Sequence, residues 1–118
     1  MRRDLDLCRF ILMRVEESSA PVDVRQIPAE GHSYEEFIYQ VVLLQDAGLI
    51  EALLVRSDSS DLPLAAKIER LTWKGHEFLS DARDESIWNR AKKEAGEASL
   101  AVVQAILTAL AKKALGLP

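Results

Sequence analysis

Apolar residues recur at near-helical spacing at the start of the chain, where Leu5, Cys8, Leu12 and Val15 line up and Leu7, Ile11 and Met13 widen the same side. That period predicts an amphipathic helix from Asp4 to Glu17. Ser18-Ser19-Ala20-Pro21 ends it, because proline disfavours the helical conformation in the residue before it. Val22 to Ile27 alternates apolar and polar positions and predicts a short strand, stopped by Pro28. Ser33, with Glu36 three residues later, is the capping box of a second helix. Its buried face is Phe37, Ile38, Val41 and Leu44, and Gly48 supplies the left-handed residue that closes it. Leu49 to Arg56 reads as a strand, Ser57 to Pro63 as a polar turn and Leu64 to Leu71 as the returning strand. Thr72 caps a third helix through Ala82, and Asp84 or Ser86 opens a further turn or two carrying Ile87, Trp88 and Ala91. Gly96 interrupts the pattern, and Ser99 starts a last helix running to Leu115.

The elements give an α+β protein, mainly α, with a winged-helix-like core (helix, short strand, helix, two-stranded wing, helix) over residues 1–83 and a C-terminal helical extension over 84–118. One part of the frame is missing. A helix-turn-helix needs a helix just before the reading helix, and the interval from Pro21 to His32 is too short and too broken to form one. At 118 residues the chain is one domain's worth of sequence, long enough for a single core that gains from an added helix or a partner. Its 48% apolar and 29% charged content is that of a folded globular chain.

Charge alters the functional meaning of this layout. Residues 1–30 carry a net −1, residues 33–63 a net −5 and residues 64–118 a net +2, so the winged segment is the most acidic part. A DNA reader draws its affinity from Lys and Arg against phosphate. Projected at 100° per residue, the second helix instead turns Glu35, Glu36, Tyr39, Leu43 and Asp46 outward, with only Gln40 toward the flank as a base-reading type. The wing tip Ser57-Asp58-Ser59-Ser60-Asp61 is acidic too. These are either solvated polar faces or the rim of a protein-contact patch built on Tyr39 and Leu43. The rival expectation is DNA binding through basic residues elsewhere, namely Arg2, Arg3, Arg9, Lys92 and Lys93.

The last helix offers a second surface. Val102, Val103, Ile106, Leu107, Leu110 and Ala114 cover close to half its circumference, with Gln104, Thr108 and Lys112 opposite. So wide an arc either roofs the chain's own core near Trp73 and Trp88 or packs on a symmetry mate. Val102, Ile106 and Leu110 are therefore candidate contact residues. Catalytic constellations are scarce. His32 sits in a loop and His76 on a helix, with no nucleophile in register. The single cysteine, Cys8, lies on an apolar helix side, and the five glycines form no phosphate-binding loop. No metal, cofactor or catalytic residue is expected. One cysteine, no secretory leader and no bilayer-length apolar run point to a cytoplasmic protein.

Three blocks carry a family likeness: the start Met1-Arg2-Arg3-Asp4-Leu5-Asp6-Leu7, the block from Tyr34-Glu35-Glu36 to Gly48-Leu49-Ile50, and Arg70-Leu71-Thr72-Trp73-Lys74-Gly75-His76-Glu77-Phe78-Leu79 through Trp88-Asn89. With them, the chain resembles a small bacterial and prophage family of unknown function, domain of unknown function 2513. The resemblance extends to the tail, Ser99-Leu100 to Leu115-Gly116-Leu117. It implies a winged-helix-like core and a prokaryotic or phage source, and it assigns no catalytic or binding residue. The function expected is a non-enzymatic protein-interaction or dimerisation module, regulatory or host-interfering, with a winged-helix DNA-binding regulator as the alternative.

Overall fold

Five helices and a three-stranded antiparallel sheet make up the computed structural model, which describes residues 1–27 and 31–116. The class is α+β, mainly helical. The chain divides into two compact units, Met1–Gly75 and His76–Pro118. The division falls within the helix Trp73–Ala82.

In the first unit, α1 (Leu5–Glu17) starts at Asp4, whose carboxylate accepts the Leu7 N–H at 3.1 Å. Its buried face is Leu7, Cys8, Ile11, Leu12 and Val15. Leu5 and Met13, assigned to that face from sequence, are only half-buried. The expected strand from Val22 to Ile27 is cut short: β1 holds only Val22–Asp23, and a 3-10 turn, Val24–Gln26, follows. Asp23 is the cause. Its carboxylate accepts the Arg25 N–H at 2.9 Å and also pairs with the Arg25 guanidinium, which bends the chain out of a ladder. Val24 and Ile27 are buried by this bend. The stop assigned to Pro28 lies outside the described residues.

Helix α2 (Tyr34–Asp46) opens at Ser33, whose hydroxyl accepts the Glu36 N–H at 3.1 Å. Phe37, Ile38, Val41 and Leu44 are buried as the periodicity predicts. Strands β2 (Ile50–Val55) and β3 (Ala65–Leu71) form the hairpin, and β3 is central in the order β1-β3-β2. The pairing Ile50↔Leu71 and Glu51↔Arg70 slips at Glu51/Ala52, so that Ala52 meets Ile68. At that bulge the Ala52 N–H is taken by the Gln45 side chain at 2.6 Å. Ile11, Leu12, Val41 and Ile68, fully enclosed, are the centre of this unit's core.

Helix α3 (Trp73–Ala82) crosses into the second unit, which continues with α4 (Glu85–Ala95) and α5 (Leu100–Ala114). Helix α4 is longer than the turn or two read from sequence. Asp84 caps it, accepting the Ile87 N–H at 3.0 Å, and Ser86 supports that cap by donating to the same carboxylate. Trp88 is buried and meets Phe78 edge-to-face, centroids 6.1 Å apart. Lys92 stands over the Trp88 ring at 5.8 Å. Gly96, at φ +58°, ends α4 where Gly was expected.

Candidate functional site

The two sequence blocks that define the first unit are bonded to each other. Helix α2 closes with a Schellman arrangement: the Leu49 N–H bonds the Leu44 carbonyl at 3.0 Å, the Gly48 N–H bonds Gln45 at 2.9 Å, and Gly48 sits at φ +78°. The carbonyls left over at this end are received by the start of α3. The Thr72 hydroxyl donates to the Gly48 carbonyl, the Thr72 N–H to Leu49 at 3.0 Å and the Lys74 ammonium to Ala47 at 3.2 Å. The same Thr72 hydroxyl oxygen accepts the Gly75 N–H at 3.1 Å, which caps α3. Gly75 is required by closeness rather than by conformation. A Cβ there would overlap the Leu49 carbonyl oxygen and come within 3.0 Å of its carbon. This junction holds Trp73 beside the C-terminal end of α2.

Trp73 was a candidate for burial under the last helix; instead it is 80% exposed, because it occupies the outer side of a turn whose inner side bonds α2. Glu35, Glu36 and Asp46 are exposed on α2, and Tyr39 and Leu43 are half-buried between them. Gln40 does not face outward. It is buried, accepts the Asp4 N–H at 2.8 Å, donates to the Arg2 carbonyl at 2.9 Å and meets the Cys8 thiol at 3.5 Å. It ties the N-terminus to α2 and offers nothing to a base edge. The Glu36 carboxylate lies 3.2 Å from His32 Nδ1, and Asp4 is 4.0 Å from the same atom. The outward face of α2 is thus acidic and apolar.

The hairpin of β2 and β3 carries exposed apolar surface that the sequence pattern does not mark. Leu53 and Val55 project from the same face of β2, 60% and 55% exposed, and Leu64, just before β3, is 58% exposed, its N–H donating to the Val55 carbonyl at 2.7 Å. The continuous run Ala52-Leu53-Leu54-Val55 hides which face each residue takes, since alternation is the usual signal. The Tyr34 hydroxyl donates to the Leu64 carbonyl at 2.7 Å, which pins the segment before β3 to the start of α2. Elsewhere on the outer sheet face, Arg70 and Glu51 make a two-point pair at 2.7 and 3.0 Å.

In the second unit the apolar arc of α5 is turned from its predicted position. Val103 and Leu107 are buried, Ile106 and Leu110 half-buried, and Val102 exposed. Gln104 and Thr108, assigned to the solvent side, bond Asp81 of α3 at 3.1 and 2.9 Å. That polar partner draws their face inward and leaves Val102 out. A groove of about 340 Å³ lies between α4 and the C-terminal end of α5, lined by Ser86, Ile87, Arg90, Leu110, Lys113 and Ala114. Of the basic candidates, Arg2, Arg3 and Arg9 belong to the first unit and Lys92 and Lys93 to the second. Arg3 and Arg9 are half-buried, as is Lys92 against Trp88.

Among the described residues no group of three or more His, Cys, Asp or Glu side chains is placed to hold a metal. Burial pushes the Cys8 thiol from 9.0 up to about 12, with nearby Asp4 adding to the effect and Arg3 opposing it. A thiol held neutral is not a nucleophile. No described helix is long and apolar enough to cross a membrane.

Comparison with known proteins adds a relationship but no activity. The family described as "Hypothetical protein (DUF2513)" matches residues 2–101. A Haemophilus influenzae (strain Rd) relative described as "Uncharacterized protein" is 39% identical over 93 residues, which cover 78% of this chain and 76% of the relative. No solved structure matches.

Proposed function

The chain belongs to the DUF2513 family of hypothetical proteins, and from its own surfaces we propose that it is a non-enzymatic, cytoplasmic protein-contact module that works as a homodimer in a bacterial or prophage regulatory or host-interference setting. The observation that carries this reading is the exposure of Leu53, Val55, Leu64 and Trp73 on the unit that bears the acidic α2 face. Exposed tryptophan and aliphatic side chains are what protein interfaces are built around. The element order is that of a winged helix reused as a scaffold. Its second helix carries no Lys or Arg, and its two glutamines are committed elsewhere, Gln40 to the N-terminal backbone and Gln45 to the Ala52 N–H.

The test pairs light scattering at micromolar concentration with a gel-shift titration on duplex DNA at low salt. A dimer without DNA binding is expected. A monomer that shifts DNA, with affinity falling steeply as salt rises, would replace this reading with the regulator that uses Arg2, Arg3, Arg9, Lys92 and Lys93.

A further inference from the structure

The sheet of the first unit is open along β2. In the order β1-β3-β2, β3 is paired on both sides and β2 on one. The carbonyls of Leu49 and Val55 turn toward β3, accepting the Thr72 N–H at 3.0 Å and the Leu64 N–H at 2.7 Å. The Ala52 N–H turns the other way, to the Gln45 side chain. Backbone groups of successive strand residues face opposite edges. The residue skipped by the register is Glu69, on β3, so this alternation runs unbroken through β2. The N–H and carbonyl of Leu54 therefore point outward, and among the described residues no bond outside the β2–β3 ladder reaches them. Edge strands are ordinarily guarded by lysine, proline or a free charge. β2 has no lysine and no proline, its one charge, Glu51, is held by Arg70, and Leu53 and Val55 stand exposed on its outer face.

We propose that β2 pairs antiparallel with β2 of a second copy about a two-fold axis at Leu54, joining two three-stranded sheets into one of six strands. The Leu54 N–H of each copy donates to the Leu54 carbonyl of the other. Each Arg56 N–H, one residue beyond the strand, donates to the Ala52 carbonyl of the other. On the outer face Leu53 of one copy lies opposite Val55 of the other, twice, at the closely spaced positions between hydrogen-bonded pairs. The register follows from which groups are free. An axis at Ala52 or Leu53 brings the Ala52 N–H, already taken by Gln45, to the middle of the seam. An axis at Val55 sets Leu53 against Ser57, and one at Arg56 sets two arginines face to face. Of these positions only Leu54 matches aliphatic with aliphatic and opposes no like charges, Glu51 falling opposite Ser57. That self-match selects a second copy over a foreign strand. So short a seam belongs with interfaces below about 1,200 Å², and the dimer forms at micromolar rather than nanomolar concentration.

The seam rests on the protein-contact reading and gives the homodimer its surface. Sedimentation velocity is run across a concentration series on the full chain, on Leu53→Lys, on Val55→Glu and on an equimolar mixture of the two variants. Both positions are exposed, so circular dichroism of each variant should match the parent. Each variant alone is expected to dissociate at least about tenfold more readily. The mixture should regain the parental dimer, because one contact then joins the introduced lysine and glutamate and the other is the native Leu53–Val55 pair. On the parent chain, amide exchange at Leu54 should slow by at least about tenfold from dilute to concentrated protein. A dimer indifferent to both substitutions, or a Leu54 amide exchanging equally at every concentration, would overturn the seam while leaving the protein-contact reading intact. Dissociation that the mixture does not reverse would overturn the Leu54 register. A monomer at about 100 µM would overturn the seam and the homodimer together. A monomer that also shifts duplex DNA would displace the protein-contact reading itself.

Discussion

Replacing Gly75 with alanine sets two physical effects against each other. Gly75 is in the first turn of α3, where helix propensity alone favours alanine by at most about 1 kcal/mol. Its φ is not in the left-handed region, so no backbone strain is added. Against that, the new Cβ would overlap the Leu49 carbonyl oxygen, a backbone atom fixed by the α2 Schellman closure and by the Thr72 N–H. Overpacking against a group that cannot rotate away costs on the order of 3 kcal/mol, the upper end for such changes. Displacing Leu49 also weakens the Thr72 bonds at the junction, each worth about 1 kcal/mol. The net expectation is a loss of roughly 2–3 kcal/mol, which for a chain of this length lowers Tm by about 10 °C. Thermal and urea unfolding followed by far-UV circular dichroism measure it. Gly96→Ala is the contrast: its glycine is at φ +58° and ψ −124°, a conformation that side chains rarely adopt, with nothing within 4 Å of a Cβ, so its cost is backbone strain of about 1–3 kcal/mol and no clash. If Gly75→Ala is neutral or stabilising, close approach does not explain this glycine.

Other expectations follow from single side chains. Gln40→Ala leaves the Asp4 N–H without its partner and should cost about 1–3 kcal/mol in denaturant titration, whereas an external Gln40 would cost almost nothing. Leu107→Asp puts a carboxylate at a fully enclosed position and should unfold the second unit rather than merely dissociate a dimer; folded monomer in light scattering and circular dichroism would contradict this. The native Cys8 thiol titrates near 12 and its unfolded counterpart near 9.0. Its contribution to stability is therefore complete below about 9 and lost as pH climbs toward 12, so the parent's unfolding midpoint should fall with pH in that window more than that of Cys8→Ala. Iodide should quench the fluorescence of Trp73 and spare Trp88, resolved with Trp73→Phe and Trp88→Phe; equal quenching would refute the exposure difference.

Local signals in the chain settled the helices and their ends. Ser33, Gly48, Thr72, Asp84, Gly96 and Ser99 each act at a terminus through bonds reaching three or four residues, and such bonds form wherever the local sequence permits. The buried face of α2 and the acidity of its outer face were legible for the same reason: a 3.6-residue period fixes relative facing without reference to the rest of the fold. What a face meets was not legible. Gln40 reads as a flank residue until the N-terminal backbone is laid beside it, and Gln104 and Thr108 read as solvated until Asp81 arrives from another helix. Asp23 ends β1 by a contact only two residues away, yet an alternating pattern concealed it. The exposure of Trp73, Leu53 and Leu64 was decided by tertiary structure alone. Apolar character does not distinguish a side chain pointing into the core from one carried on the outer side of a turn or a strand edge, and only the docking of α3 on the end of α2 and the register of β2 on β3 make that choice.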